Sequence, residues 1–172
     1  MTYQTIALTA AALAIILPLT TFLLPQTTTV TRSATMPAAP DAIFNLVSSN
    51  QGYQVFNPYK SADPNLKIDL FGPDQGVGSG FHFDGKDGTG SQTVAAVEQD
   101  KSVLFHIDLG VMGKPIQRVT LTPVANGTNV TWDMESDAGY NPIKRVFGLF
   151  LDGMLGGTLD QGLANLNQAT AS

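Results

Sequence analysis

From Pro142 to about Ala169 the apolar residues recur at every third or fourth position, whereas through most of the chain before it they alternate with polar ones. Ile143, Phe147, Phe150, Met154, Leu155, Leu159, Leu163 and Leu166 read as one stripe of a long helix, opened by Asn141 as N-cap and Pro142 in the first turn. Gly153, Gly156, Gly157 and Gly162 each weaken a helix interior by about 1 kcal/mol relative to Ala. Such a helix needs tertiary support, and its glycines mark a bend or a close approach to a neighbouring layer.

The upstream half-buried runs are strand-like. Thr28–Met36 places Val30, Ala34 and Met36 on one side, and Pro37 and Pro40 end it. Asp41 stands at the start of a short helix, Ala42–Ser48, with Ile43, Phe44 and Val47 as its apolar face. An irregular aromatic stretch, Tyr53–Tyr59, follows. Leu66, Ile68 and Leu70 form the next strand face, then Val77, Phe81 and Phe83, with Gly-Lys-Asp-Gly at 85–88 as a hairpin turn. Gln92–Glu98, Val103–Leu109, Ile116–Pro123 and Val130–Glu135 continue the meander, separated by turn-forming residues at 99–102 and 125–128. About seven short strands and one long helix share a core only if an antiparallel sheet curls around that helix, so the predicted class is α+β.

Composition divides the chain near Gln26. No charged residue precedes Arg32, and all 17 glycines lie at or after Gly52. Ile6–Leu24 is free of charge and, at the helical rise, just long enough to cross a hydrocarbon core; Pro18 is compatible with a membrane helix. Residues 1–26 are therefore expected to be a single-pass membrane anchor and 27–172 one domain. A cleaved secretory signal and a buried soluble helix are the rival readings. A signal normally has a basic start, a shorter apolar core and small residues at its cleavage site, none of which is clear here. The domain is expected on the extracytoplasmic side from the position of the segment alone, since Arg32 is the one early cation for a positive-inside bias to count.

The formal charge of -5, with nine Lys and Arg spread thinly, provides no basic stripe for nucleic acid. Without cysteine there are no disulfides, thiolate nucleophiles or thiolate metal sites. His82 with Asp84, and His106 with Asp108, share faces of their strands as an oriented general base requires, but both pairs alternate with the apolar set and so point to solvent. Two histidines on different strands fall short of a metal site. Gly76-Val-Gly-Ser-Gly80 opens a strand instead of a helix and reads as a turn, not a phosphate loop. No catalytic residue, metal or cofactor is expected.

Four stretches are similar to one family in order and spacing. They are Val30-Thr-Arg-Ser-Ala-Thr-Met-Pro-Ala-Ala-Pro-Asp-Ala-Ile-Phe44, Phe56-Asn-Pro-Tyr59, Asn126-Gly-Thr-Asn-Val-Thr-Trp132 and Met154-Leu-Gly-Gly-Thr-Leu-Asp-Gln-Gly-Leu-Ala-Asn-Leu166. Together they resemble the SRPBCC superfamily (START/Bet v1-like), in its polyketide cyclase/dehydrase-like branch. Phe56 and Tyr59 stand where relatives usually carry tryptophan, and Ala34 where a larger aliphatic is usual. The resemblance implies a helix-grip fold with a cavity between sheet and C-terminal helix. It implies Phe81, Phe83, Phe105, Ile107, Trp132, Met134, Phe147, Phe150 and Met154 as lining, against the alternative of a filled core, and Tyr53, Phe56 and Tyr59 at the mouth. The expected function is a membrane-tethered module that binds a hydrophobic small molecule or lipid. The alternatives are a cyclase/dehydrase-like enzyme, which needs an inward ionisable group such as His82, His106, Asp69 or Glu98, and a partner-regulating module without catalysis.

Overall fold

Alternating exposure along Thr27–Met36 makes strand β1, with Val30 and Met36 turned inward, as the sequence predicts. The structure, a computed structural model, describes residues 20–171. Helix α1, Pro40–Val47, uses Pro40 in its first turn and buries Ile43, Phe44 and Val47. The aromatic stretch beyond it is two short helices, α2 (Asn50–Phe56) and α3 (Pro58–Ala62). They are too short to show a hydrophobic period, and side-chain caps define them instead: Gly52 N donates to Ser49 Oγ at 3.1 Å and Tyr59 N to Asn57 Oδ1 at 3.0 Å.

Six further strands follow: β2 (Lys67–Phe71), β3 (Gly80–Gly85), β4 (Gly88–Glu98), β5 (Ser102–Asp108), β6 (Ile116–Val124) and β7 (Gly127–Asp137). They form one seven-stranded sheet in the order β1-β7-β6-β5-β4-β3-β2, with every neighbouring pair antiparallel. The meander is thus the expected one, closed by the first strand pairing with the last. Val77 lies in the loop before β3 and is exposed, so the strand begins later than its apolar neighbours suggest.

The C-terminal segment is where the expected stripe fails. It forms α4 (Pro142–Gly148) and α5 (Leu151–Thr170), joined by two tight turns in which Leu149 N donates to Val146 O and Phe150 N to Phe147 O. Asn141 caps α4 as expected, accepting from Ile143 N and Lys144 N at 3.0 and 3.1 Å. The residues turned inward are Arg145, Gly148, Leu151, Gly156, Leu159, Gly162, Leu163 and Leu166. Phe147, Phe150 and Met154 are 49%, 60% and 57% exposed, with Ile143 beside them on the outer side. At 3.6 residues per turn Met154 and Gly156 point about 200° apart, so the apolar spacing contains two stripes on opposite sides of the rod.

Small residues decide which stripe meets the sheet. A Cβ at Gly162 would stand 2.5 Å from a ring carbon of Trp132, and one at Gly156 would overlap the Arg32 guanidinium. Arg32 projects from β1 toward α5 and donates to Asp152 at 2.7 and 3.1 Å and to Asp160 at 3.3 Å, fastening the rod across the first strand. Among the described residues no helix is long and apolar enough to cross a membrane. Most of the expected anchor, residues 1–26, lies outside them.

Candidate ligand-binding site

The register brings residues of β3 to β7 together on the sheet's inner face. Phe81 lies opposite Gln92, Gln92 opposite Ile107, Phe105 opposite Gln117, and Gln117 opposite Met134. Phe81, Phe105, Ile107, Trp132 and Met134 are all buried, so these five sheet residues share the inner layer, as the sequence indicates. Phe147, Phe150 and Met154 are on the rod's outer side and do not face that layer.

Tyr53 and Phe56 occupy the space those side chains were expected to share. Three residues apart on α2, both project under the sheet and are buried, so neither stands at a mouth; Tyr59, on α3, is partly exposed. The Tyr53 ring centroid lies 4.8 Å from Phe56, 5.4 Å from Phe81, 5.7 Å from Phe105 and 6.3 Å from Trp132. Asn165 Nδ2 of α5 donates to Phe56 O at 3.3 Å, tying this plug to the rod. The void left beside Tyr53, Phe81, Gln92 and Phe105 measures about 10 Å³.

The polar groups of this layer were not singled out from the sequence. Gln117 Nε2 donates to the Tyr53 hydroxyl at 3.3 Å, while Gln92 Nε2 is buried with no hydrogen-bond partner among the described residues. Burial pushes the Tyr53 hydroxyl far above the ordinary tyrosine range, although the bond from Gln117 works against that. The Tyr53 hydroxyl, which accepts that bond, thus stays protonated. The legible signal was phase: Gln92 shares the inward register of Val94, and Gln117 that of Val119 and Leu121.

The larger concavity is at the sheet's rim. There the β3–β4 hairpin meets the loop after β5, whose Gly110–Met112 segment forms a 3₁₀ turn. The cleft is a wide-open depression of about 710 Å³, lined by His82, Phe83, Gly88, Thr89, Gly90, Ser91 and the segment Asp108–Met112. Phe83 links it to the interior, its ring centroid lying 6.4 Å from that of Phe81.

Polar groups mark the cleft's outer side. His82 pairs in register with Ser91, and Ser91 with Asp108, so the three lie in a row across β3, β4 and β5. With strands about 4.8 Å apart, the ends of that row are roughly 10 Å apart and form no dyad. His82 stacks against Phe71 at 4.7 Å between centroids. The Asp108 carboxyl is held below the usual range, first by Lys114 at 2.9 Å and then by Gly110 N at 2.8 Å. Asp69, His82, Glu98 and His106 are all exposed, so none supplies the inward ionisable group that catalysis needs. Of the cleft's residues, Phe83 was the one expected from the sequence to line a cavity; Gly110 and Gly113 adopt positive φ, which a loop this tight requires.

A sequence profile described as polyketide cyclase / dehydrase and lipid transport matches residues 27–170. No curated protein matches the chain. Among solved structures, a protein from Mesorhizobium loti superposes with a TM-score of 0.57 at 20% identity, over 81% of this chain and 94% of that one. Truncated norcoclaurine synthase from Thalictrum flavum gives 0.61 at 16% identity, over 79% and 91%. A di-domain ARO/CYC of the steffimycin biosynthetic pathway gives 0.63 at 10% identity, over 85% of this chain and 51% of that one. At these identities the similarity is one of fold, the helix-grip.

Proposed function

The chain belongs to the polyketide cyclase/dehydrase and lipid transport family of the SRPBCC superfamily, and from that premise we propose that it is a membrane-tethered module holding an apolar small molecule or lipid at the rim of its sheet. One observation carries the reading. The rim cleft, about 710 Å³ in volume, is lined by Phe83, whose ring lies 6.4 Å from that of Phe81 in the buried aromatic layer. Phe83, Leu109 and Met112 supply apolar contact, and Ser91 and His82 supply polar contact for a headgroup. An oxygen-bearing ligand that entered past Phe83 would also give Gln92 Nε2 the acceptor it lacks. The charge-free run Ile6–Leu24 is the proposed tether, with the domain on the extracytoplasmic side.

Trp132, the sole tryptophan, lies in the aromatic layer and reports on its occupancy. Titration of the full-length protein with a fatty acid and with an aromatic probe should give saturable changes in its fluorescence. Phe83→Asp should weaken binding by about tenfold, equivalent to ~1.4 kcal/mol. A protein that purifies without lipid by native mass spectrometry and binds neither probe would exclude the reading. The cyclase-like alternative keeps Tyr53 as its inward hydroxyl, and burial leaves that group suited to donating a hydrogen bond, not to taking a proton.

A further inference from the structure

The outward stripe of α4 has no partner among the described residues, and it stands where the N-terminal run enters the domain. Ile143 is 79% exposed, and Phe147 and Phe150 follow it on the same side of the rod. Phe22 and Leu23, near the end of the charge-free run, are exposed as well. Val111, on the loop that lines the rim cleft, is 98% exposed, and the same loop reaches α4 at Gly113, where an added Cβ would stand 3.6 Å from Lys144 Nζ.

Arg145 joins these parts. Its side chain is buried and donates from Nη1 to Phe22 O at 3.0 Å and Leu24 O at 3.1 Å, and from Nε to Gly139 O at 2.9 Å. The guanidinium carbon also sits 5.3 Å from the Phe22 ring centroid. A cation spent on two carbonyls of the entering segment fixes where that segment meets the domain, independently of its apolar character.

We infer that the face formed by Phe22, Leu23, Val111, Ile143, Phe147 and Phe150 lies on the surface of a lipid bilayer, with Arg145 setting the domain's tilt against it. Two observations select lipid as the occupant. The charge-free run ends at α4, where Arg145 holds the carbonyls of Phe22 and Leu24. Lys144, next to Ile143 on α4, also suits headgroups, whereas Lys114 is paired with Asp108 and Asp152 with Arg32. The rim cleft then opens at the bilayer surface, so an apolar ligand exchanges with lipid without crossing water. The inference rests on the proposed tether and not on the identity of the ligand.

The chain has no cysteine, so single-cysteine labelling is clean. The full-length protein is reconstituted in vesicles of phosphatidylcholine and phosphatidylglycerol, with a fluorophore at Phe147→Cys, at Ile143→Cys, or at Val124→Cys as control. Val124 sits at the β6–β7 turn, the length of β7 away from α4. Nitroxide-labelled lipid should quench both α4 labels several-fold more than the Val124 label, and Phe150→Asp should reduce that difference. Equal, weak quenching at all three positions in protein that still floats with the vesicles would overturn the docking while leaving the tether intact. Protection of the α4 labels from aqueous iodide and from nitroxide lipid alike would show the face covered by residues 1–19, and disulfide crosslinking between copies through Phe147→Cys would show a second chain there. Either overturns the proposal. Failure to float would remove the tether and the docking together, whereas loss of probe binding in correctly docked protein would count against the ligand reading alone.

Discussion

The two halves of the C-terminal rod have similar apolar spacing and opposite fates. In α5, Leu159, Leu163 and Leu166 are buried against the sheet and the α2 plug. In α4 and the junction, Ile143, Phe147 and Phe150 face outward, and the inner side carries Arg145 and Gly148. Hydrophobic period says that a face exists; the shape of the opposing layer decides which face is used. Here the sheet presents Trp132 and the Arg32 guanidinium to the rod, and glycines fit over them where aromatics do not.

The contrast is broken most severely by truncation. Leu159→Ala should cost ~2–5 kcal/mol in urea unfolding, while Phe147→Ala, on the outer side, should change stability by no more than about 0.5 kcal/mol. Comparable losses at both sites would mean that α4 is packed in solution. Next in size is overpacking under the rod: Gly162→Val meets the Trp132 ring and should cost at least ~1–3 kcal/mol. Gly157→Ala, with open space around it in the same helix, should stabilise by about 1 kcal/mol, and calorimetry of the pair separates close approach from helix propensity.

A smaller effect is expected at Gln92, whose unpartnered amide already carries a desolvation penalty. Gln92→Leu should leave stability unchanged or raise it by up to about 1 kcal/mol. If it also weakens an oxygen-bearing ligand while sparing a hydrocarbon one, the amide faces the bound molecule. Smallest is the ion pair that fastens α5. Asp152 is held below the usual carboxyl range, chiefly by the hydrogen bond from Arg32. Its contribution is therefore complete above the ordinary aspartate value and disappears as pH falls through the lower, folded one. Asp152→Asn should flatten that part of the acid limb of stability against pH, and added salt should mimic the change because both groups are partly solvated.

Much of the fold was legible because strands advertise themselves two residues at a time. Val30 to Met36, Val119 with Leu121, and Val130 with Trp132 show their inner face in the bare sequence. Helices α2 and α3 were not legible, since their caps at Ser49 and Asn57 are local hydrogen bonds without an accompanying period. That omission placed Tyr53 and Phe56 at a mouth when they are the plug. The candidate site was harder still: His82, Ser91 and Asp108 come from three strands, and only the pairing register sets them in one row.

The sequence by itself determined the strand meander, a helical C-terminal segment with its N-cap at Asn141, and the absence of thiol chemistry. Those are local matters, fixed by the residue types within a few positions of one another. Tertiary structure decided which side of the rod meets the sheet, that aromatics from α2 fill the grip, and that the open volume lies at the rim. Each of those depends on the volume of side chains that meet from distant parts of the chain, and volume complementarity has no period to read.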